Sequence, residues 1–164
     1  SGGQRSQPLH NPPVVMRFIF YRSPGAEMPR ILIVDNEEAV GCSMTEYFRL
    51  LGYQVDYARD RLEAEDCLAK RDYSVVIEDL WLSSNTNREG LDIVEFVHER
   101  YPSTQIIVLT ARGSAEIEKE ACRRGASAFL AKPKPLPEIA QVVSGLLNLR
   151  DALDQQLLKQ QEPA

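Results

Sequence analysis

Tyr73-Ser-Val-Val-Ile-Glu-Asp79 is an apolar run that ends on a carboxylate, and its reading decides the fold. In open α/β sheets ligands bind outside the carboxyl ends of buried strands, where a side chain is held rigidly and still reaches solvent. Asp79 is therefore a candidate nucleophile or metal ligand. Three further runs end the same way: Ile31-Leu-Ile-Val34 leads into Asp35-Asn36, Gln105-Ile-Ile-Val-Leu109 into Thr110, and Ala126-Ser-Ala-Phe-Leu-Ala131 into Lys132.

Between these runs the periodicity becomes helical. Val40, Met44, Tyr47, Phe48 and Leu51 predict a helix near Glu37 to Leu51 that Gly52 ends. A short strand, Tyr53 to Tyr57, precedes a helix near Arg61 to Lys70 that offers Leu62, Cys67 and Leu68 to the core. After the strand Ser74 to Asp79 comes a polar loop, Trp81 to Gly90, then a helix near Leu91 to Arg100 broken by Pro102. A helix near Ala115 to Arg124, stopped by Gly125, separates the strands Gln105 to Leu109 and Ser127 to Ala131. Strand-helix alternation of this kind means a parallel sheet with helices on both faces, because crossovers are right-handed. The last helix starts near Leu136 and could run to about Lys159, since Ile139, Val143, Leu146, Arg150, Leu153 and Leu157 keep an alternating four-three spacing. Its first half reads as core. The part beyond Leu149 reads either as a fraying amphipathic tail or as a short coiled coil that joins two copies in a homodimer.

Size and charge narrow the class. A chain of 164 residues with 43% hydrophobic content suits one domain plus tails. The net charge is -5, and three Arg against one Glu put residues 1–27 at +2, so the remainder stands at -7. An acidic body of this kind argues against direct nucleic-acid binding. Cys42, Cys67 and Cys122 form no Cys-x-x-Cys, and no His completes a zinc set, so they read as buried or partly buried free thiols in a reducing cytoplasm. No window is apolar over the roughly 18 residues that a spanning helix needs, so no membrane association is expected. Residues 1–29 read as a flexible leader or extension with Met28 a plausible start, although Val14 to Tyr21 could add an edge strand or pack on a partner. Residues 30–149 read as the folded domain and 150–164 as a helical extension or tail.

The predicted sheet brings Asp35, Asn36, Asp79, Thr110 and Lys132 to one edge. Clustered acidic groups would repel unless a hard cation such as Mg²⁺ sat among them, and that ion prefers oxygen ligands. A carboxylate beside it can attack phosphorus and form an acyl phosphate. Lys132 and the Thr110 hydroxyl would then hold phosphoryl oxygens.

From Arg30 to about Leu149 the sequence resembles the receiver domains of two-component response regulators. The resemblance rests on Ile-Leu-Ile-Val-Asp35-Asn-Glu-Glu, Val-Val-Ile-Glu-Asp79-Leu, Gly90-Leu-Asp, Ile-Ile-Val-Leu-Thr110-Ala and Gly-Ala-Ser-Ala-Phe129-Leu-Ala-Lys132-Pro133, in that order and spacing. It implies a flavodoxin-like sheet of five parallel strands in the order 2-1-3-4-5. It also implies that Asp79 is the phospho-acceptor, supplied by a sensor histidine kinase or phosphotransfer protein. Asp35, Asn36, Asp79 and the backbone carbonyl of Trp81 fall on the Mg²⁺ contacts. Thr110 is the switch hydroxyl, Phe129 the switch aromatic and Lys132 the phosphate-binding lysine, with a cis bond to Pro133. The readout surface for a downstream effector protein or domain covers about Ala115 to Leu149. Such a domain catalyses only its own phosphorylation and dephosphorylation.

Three departures from the family pattern stand out. Asn36 occupies a position that is usually acidic, which implies weaker Mg²⁺ binding and slower phosphorylation, or a degenerate receiver that acts by protein contact alone. The loop after Asp79 has Ser83 where Pro is usual and is longer by about three polar residues, either solvated slack or a cover for the site. Glu78 points away from Asp79 by strand alternation, and the expectation is a salt bridge at the sheet edge, with a second carboxylate near the metal as the alternative. A phosphotransferase with an Asp nucleophile would want a second acid where Trp81 stands. A flavodoxin-like cofactor site lacks its phosphate-cradling loop after the first strand.

Overall fold

The structure is a computed structural model and describes residues 27–80 and 87–160. Its strands are β1 (Arg30–Val34), β2 (Gln54–Ala58), β3 (Val75–Leu80), β4 (Gln105–Thr110) and β5 (Ala128–Ala131). The helices α1 (Glu38–Leu50), α2 (Arg61–Lys70), α3 (Asn87–Arg100), α4 (Ala115–Arg123) and α5 (Leu136–Gln160) follow them in turn. All strand pairs are parallel, in the order β2-β1-β3-β4-β5, so the expected topology is the observed one. Residues 1–26, with the Val14 to Tyr21 run, lie outside the described residues, as do Trp81 and the rest of the polar stretch to Thr86.

Strand alternation sorts the core into two layers. Leu32, Val34, Val76, Leu80, Ile106 and Val108 face α2, α3 and α4, where Leu68, Val94, Val97 and Ala121 cover them. Ile31, Ile33, Val75, Ile77, Ile107 and Leu109 face the other way, onto Met44 and Phe48 of α1 and Ile139, Ala140 and Val143 of α5. Burial on both faces is why these strands read as unbroken apolar runs rather than as polar-apolar alternation.

Local signals set most element ends. Asp60 caps α2 by accepting from the Glu63 N–H at 2.9 Å, and Ser114 caps α4 by accepting from the Ile117 N–H at 3.3 Å. Gly52 and Gly125, at φ 93° and 110°, carry the chain out of α1 and α4 through a region that other residues rarely adopt.

Four expectations need correction. α3 begins at Asn87 rather than Leu91, so Gly90 lies inside the helix instead of closing the loop. A Cβ at Gly90 would collide with Leu80 Cδ2, and the missing side chain is what lets the first turn of α3 lie on β3. Leu62 is exposed, and Ala64 fills the core in its place beside the expected Leu68. Cys42 and Cys122 are exposed and only Cys67 is partly buried, because the first two sit on the outer sides of α1 and α4. Glu78 is buried on a central strand, between β1 and β4, rather than at the sheet edge.

Candidate functional site

Asp35, the residue after β1, anchors the site. Its backbone N–H donates to Ala58 O at 3.1 Å, and its carbonyl accepts from the Tyr57 hydroxyl at 2.7 Å. The residue is 2% exposed, with side-chain Oδ1 accepting from the Glu37 N–H at 2.8 Å. Its other oxygen, Oδ2, is buried without a hydrogen-bond partner.

Asp79 stands one step before the end of β3, opposite Leu109 of β4, while Leu80 pairs with Thr110. Lys132 follows β5 and joins the acids: Nζ lies 3.0 Å from Asp79 Oδ1 and 3.8 Å from Asp35 Oδ2. Its backbone N–H donates to Thr110 O at 2.8 Å, and the Lys132-Pro133 bond is cis, as the family resemblance implied. Thr110 is fully buried, and its Oγ1 accepts from the Arg112 N–H at 3.2 Å. Phe129 is half-buried. Gly113 links it to Thr110, since a Cβ there would stand 2.9 Å from Phe129 Cε1 and 3.0 Å from Thr110 Cγ2.

A cavity of about 210 Å³ opens beside these groups, lined among others by Asp35, Asn36, Arg59, Asp60, Glu78 and Asp79. Asn36 is exposed at its rim. The fold therefore gathers Asp35, Asn36, Asp79 and Lys132, sets Thr110 on the neighbouring strand and places Phe129 behind it. The expected Trp81 carbonyl lies outside the described residues.

The electrostatics show an excess of negative charge. Burial, with a further push from Asp79, raises the Asp35 carboxyl to about 6 against the opposing pull of the Glu37 N–H and Lys132. Glu78 is raised well above the usual carboxylate range, by burial first and then by the charges of Asp79 and Asp35. Its Oε2 has no hydrogen-bond partner, and among the described residues no cation pairs with it, which overturns the expected salt bridge. β3 turns Glu78 toward the apolar layer of α2 and α3, where its neighbours are Leu80 and Gly90.

This donor set suits a hard divalent cation. Asp35 and Asp79 share one lysine, Asp35 keeps a bare buried oxygen, and Asn36 adds an amide oxygen at the rim. Carboxylates, an amide and water are the ligands Mg²⁺ prefers.

The sequence conceals one participant, Gly113, and one property of Glu78. Gly113 is visible only as Thr110-Ala-Arg-Gly113, which signals a turn but not the contact it permits. The bare oxygen of Glu78 depends on what α3 brings opposite it, and no spacing rule reports that.

A doubly wound sheet with two acids and a lysine at its carboxyl edge defines a receiver-type α/β domain. The chain belongs to the response regulator receiver domain family, whose model matches residues 31–144. It is similar to the response regulator protein PilR of Pseudomonas aeruginosa, 30% identical over 122 residues that make up 74% of this chain and 27% of PilR. The chain spans about a quarter of the length of such curated relatives. In fold it is similar to a CheY-like receiver domain protein from Methanospirillum hungatei, with a TM-score of 0.71 and 24% identity over 77% of this chain and 98% of that one. A beryllofluoride-activated NtrC4 receiver domain dimer matches with a TM-score of 0.67 and 28% identity, over 75% of this chain and 99% of that one. The chain is thus a receiver domain of response regulators, consistent with two-component signalling. Among the described residues no helix is long and apolar enough to cross a membrane.

Proposed function

We propose that this domain accepts a phosphoryl group on Asp79 from a phosphohistidine of a sensor kinase or phosphotransfer protein and passes the change to an effector through α4, β5 and α5. The observation that carries the reading is Lys132 Nζ, 3.0 Å from Asp79 Oδ1 and 3.8 Å from Asp35 Oδ2, at the ligand-binding edge of the sheet. An Asp79 oxygen attacks phosphorus, the O–P bond forms as the N–P bond of the donor breaks, and the histidine leaves with its electron pair. Lys132 exchanges its pairing with Asp79 for one with a phosphoryl oxygen. Mg²⁺ held by Asp35, Asn36 and Asp79 would neutralise charge that develops on the phosphoryl oxygens.

The new group adds about two negative charges at pH 7. Thr110 can turn its hydroxyl from the Arg112 N–H to that group, and Phe129 is the side chain positioned to follow. Beyond this self-modification no catalysis is assigned. The proposed setting is cytoplasmic.

Asn36 favours a second reading, a phosphorylation-independent interaction module on the same fold, because an amide contributes no charge toward a cation. Incubation with acetyl phosphate and Mg²⁺, read by intact mass, distinguishes the two. The wild type should gain one phosphoryl group, Asp79→Asn should gain none, and Asn36→Asp should react several-fold faster. An unchanged wild-type mass at high Mg²⁺, with no response to beryllofluoride, would leave only the interaction module.

Two copies of the domain also pair, in this proposal, through the exposed leucines of the second half of α5. Helices of this length persist mainly where a partner covers their apolar face.

A further inference from the structure

Two consecutive residues of the edge strand β2 hold the backbone of Asp35. The Ala58 carbonyl accepts from the Asp35 N–H at 3.1 Å, which carries the parallel ladder one residue past the end of β1. At the Asp35 carbonyl, where β2 has ended, the Tyr57 hydroxyl donates at 2.7 Å. That carbonyl belongs to the planar peptide that joins Asp35 to Asn36, so the contact fixes the unit from which both side chains depart.

The ring that carries this hydroxyl is itself confined. Tyr57 is half-buried and packs on the core layer that contains Met44 and Phe48. Gly41, buried in the first turn of α1, makes its room: a Cβ there would collide with Tyr57 Cε2 and stand 2.7 Å from Cζ. A hydroxyl on a ring held between α1 and β2 has few other places to go, so the bond costs little further ordering. The turn it holds has an unequal pair of candidate ligands. Asp35 is buried and already tied through Oδ1 to the Glu37 N–H, whereas Asn36 is exposed and neutral. A neutral amide attracts a cation weakly by charge, so its contribution depends on standing in the right place beforehand.

We propose that Tyr57 is a positioning residue for the divalent cation of this site, its hydroxyl locking the Asp35-Asn36 peptide so that the carboxylate and the amide are held ready for the ion. The inference rests on the metal site proposed above and adds to it a contact from the edge strand, outside the ligand set. Groups that orient metal ligands from behind typically matter by 10-fold or more in affinity. Asn36 makes the contact more consequential, because a turn free to rock would leave an uncharged ligand with nothing to bring it to the ion.

The test is Mn²⁺ binding followed by EPR, with Mg²⁺ competing, on the wild-type chain and on Tyr57→Phe and Thr104→Val. Phenylalanine keeps the ring beside Gly41 and removes only the hydroxyl, and should weaken binding about 10-fold. Thr104 is the control: its hydroxyl donates to the Tyr73 carbonyl at 2.8 Å, before β4 and at the far end of the sheet. Each variant loses one hydroxyl-to-carbonyl bond, so both should lower the thermal midpoint by about 2–4 °C, but Thr104→Val should bind Mn²⁺ as the wild type does. In phosphorylation by acetyl phosphate, Tyr57→Phe should raise the Mg²⁺ concentration for half-maximal rate by the factor seen in binding, more than it lowers the maximal rate. Wild-type affinity in Tyr57→Phe overturns the role of Tyr57 while leaving the metal site intact. An equal loss in Thr104→Val overturns it too, by assigning the loss to general loosening. A wild type that binds neither ion overturns the metal site itself, and the inference with it.

Discussion

Asp35 is the residue where burial and charge conflict most openly. Its pKa is pushed up to about 6, above the ordinary 3.8 that holds in the unfolded chain. The folded protein therefore keeps a proton that the unfolded chain has lost between about pH 4 and 6, and its stability falls as pH rises through that window. Glu78, raised in the same sense, adds to the decline. Carboxylates shifted the other way titrate mostly below this window: Glu120, held down to about 2 chiefly by Arg123 and then Arg124, loses its contribution as pH falls from about 4.5 toward that value. Without divalent cation, urea unfolding should show stability dropping by on the order of 1–3 kcal/mol from pH 4 to 6.5, with a shallower slope in Asp35→Asn. Stability that climbed across that interval would contradict the electrostatic account. The residues at the strand ends were legible because an apolar run that stops on a polar group marks the ligand-binding edge. That Asp35 keeps one bare oxygen was not legible, since its other oxygen is satisfied by a backbone N–H that only the β1–α1 turn brings near.

Elements meet here through missing side chains as much as through present ones. The first turn of α3 rests on Leu80 because Gly90 has no Cβ. The C-terminal end of α4 is tied back to α3 by Arg124, whose guanidinium reaches Asp92 at 2.7 Å and Glu95 at 3.4 Å while its Nε holds Glu120 at 2.7 Å. The start of α4 meets the site through Gly113. Gly90→Ala should therefore destabilise the fold by about 1–3 kcal/mol through overpacking, measured by chemical denaturation. A change within about 0.5 kcal/mol would mean that α3 shifts freely and that the close approach is incidental. Glycine is ambiguous in a sequence for this reason. The same residue ends α4 at Gly125 and opens room inside α3 at Gly90, and only the neighbouring layer distinguishes the two.

For the whole molecule, the open question is what covers α5. Leu149, Leu153 and Leu157 are each more than half exposed on a helix that continues to Gln160, while Arg150 fastens its midpoint by donating to Ser103 O at 2.7 Å. Sedimentation velocity should find a concentration-dependent dimer for the wild type and a monomer when all three leucines become lysine, with phosphorylation of Asp79 still possible. A wild type that stays monomeric at high concentration would remove the dimer.

The parallel sheet and the set Asp35, Asp79, Thr110 and Lys132 were determined by the sequence itself, because doubly buried strands must be apolar throughout and their polar ends must face the same edge; the strand order followed from the family resemblance alone. The tertiary structure decided what periodicity cannot encode. Strand alternation told which face Glu78 points toward, but whether that face offers it a cation, a water-filled cavity or an apolar wall depends on helices brought from elsewhere in the chain. Leu62 and Gly90 show the same physics. A side chain's environment is set by what packs against it, and that partner is chosen by the fold.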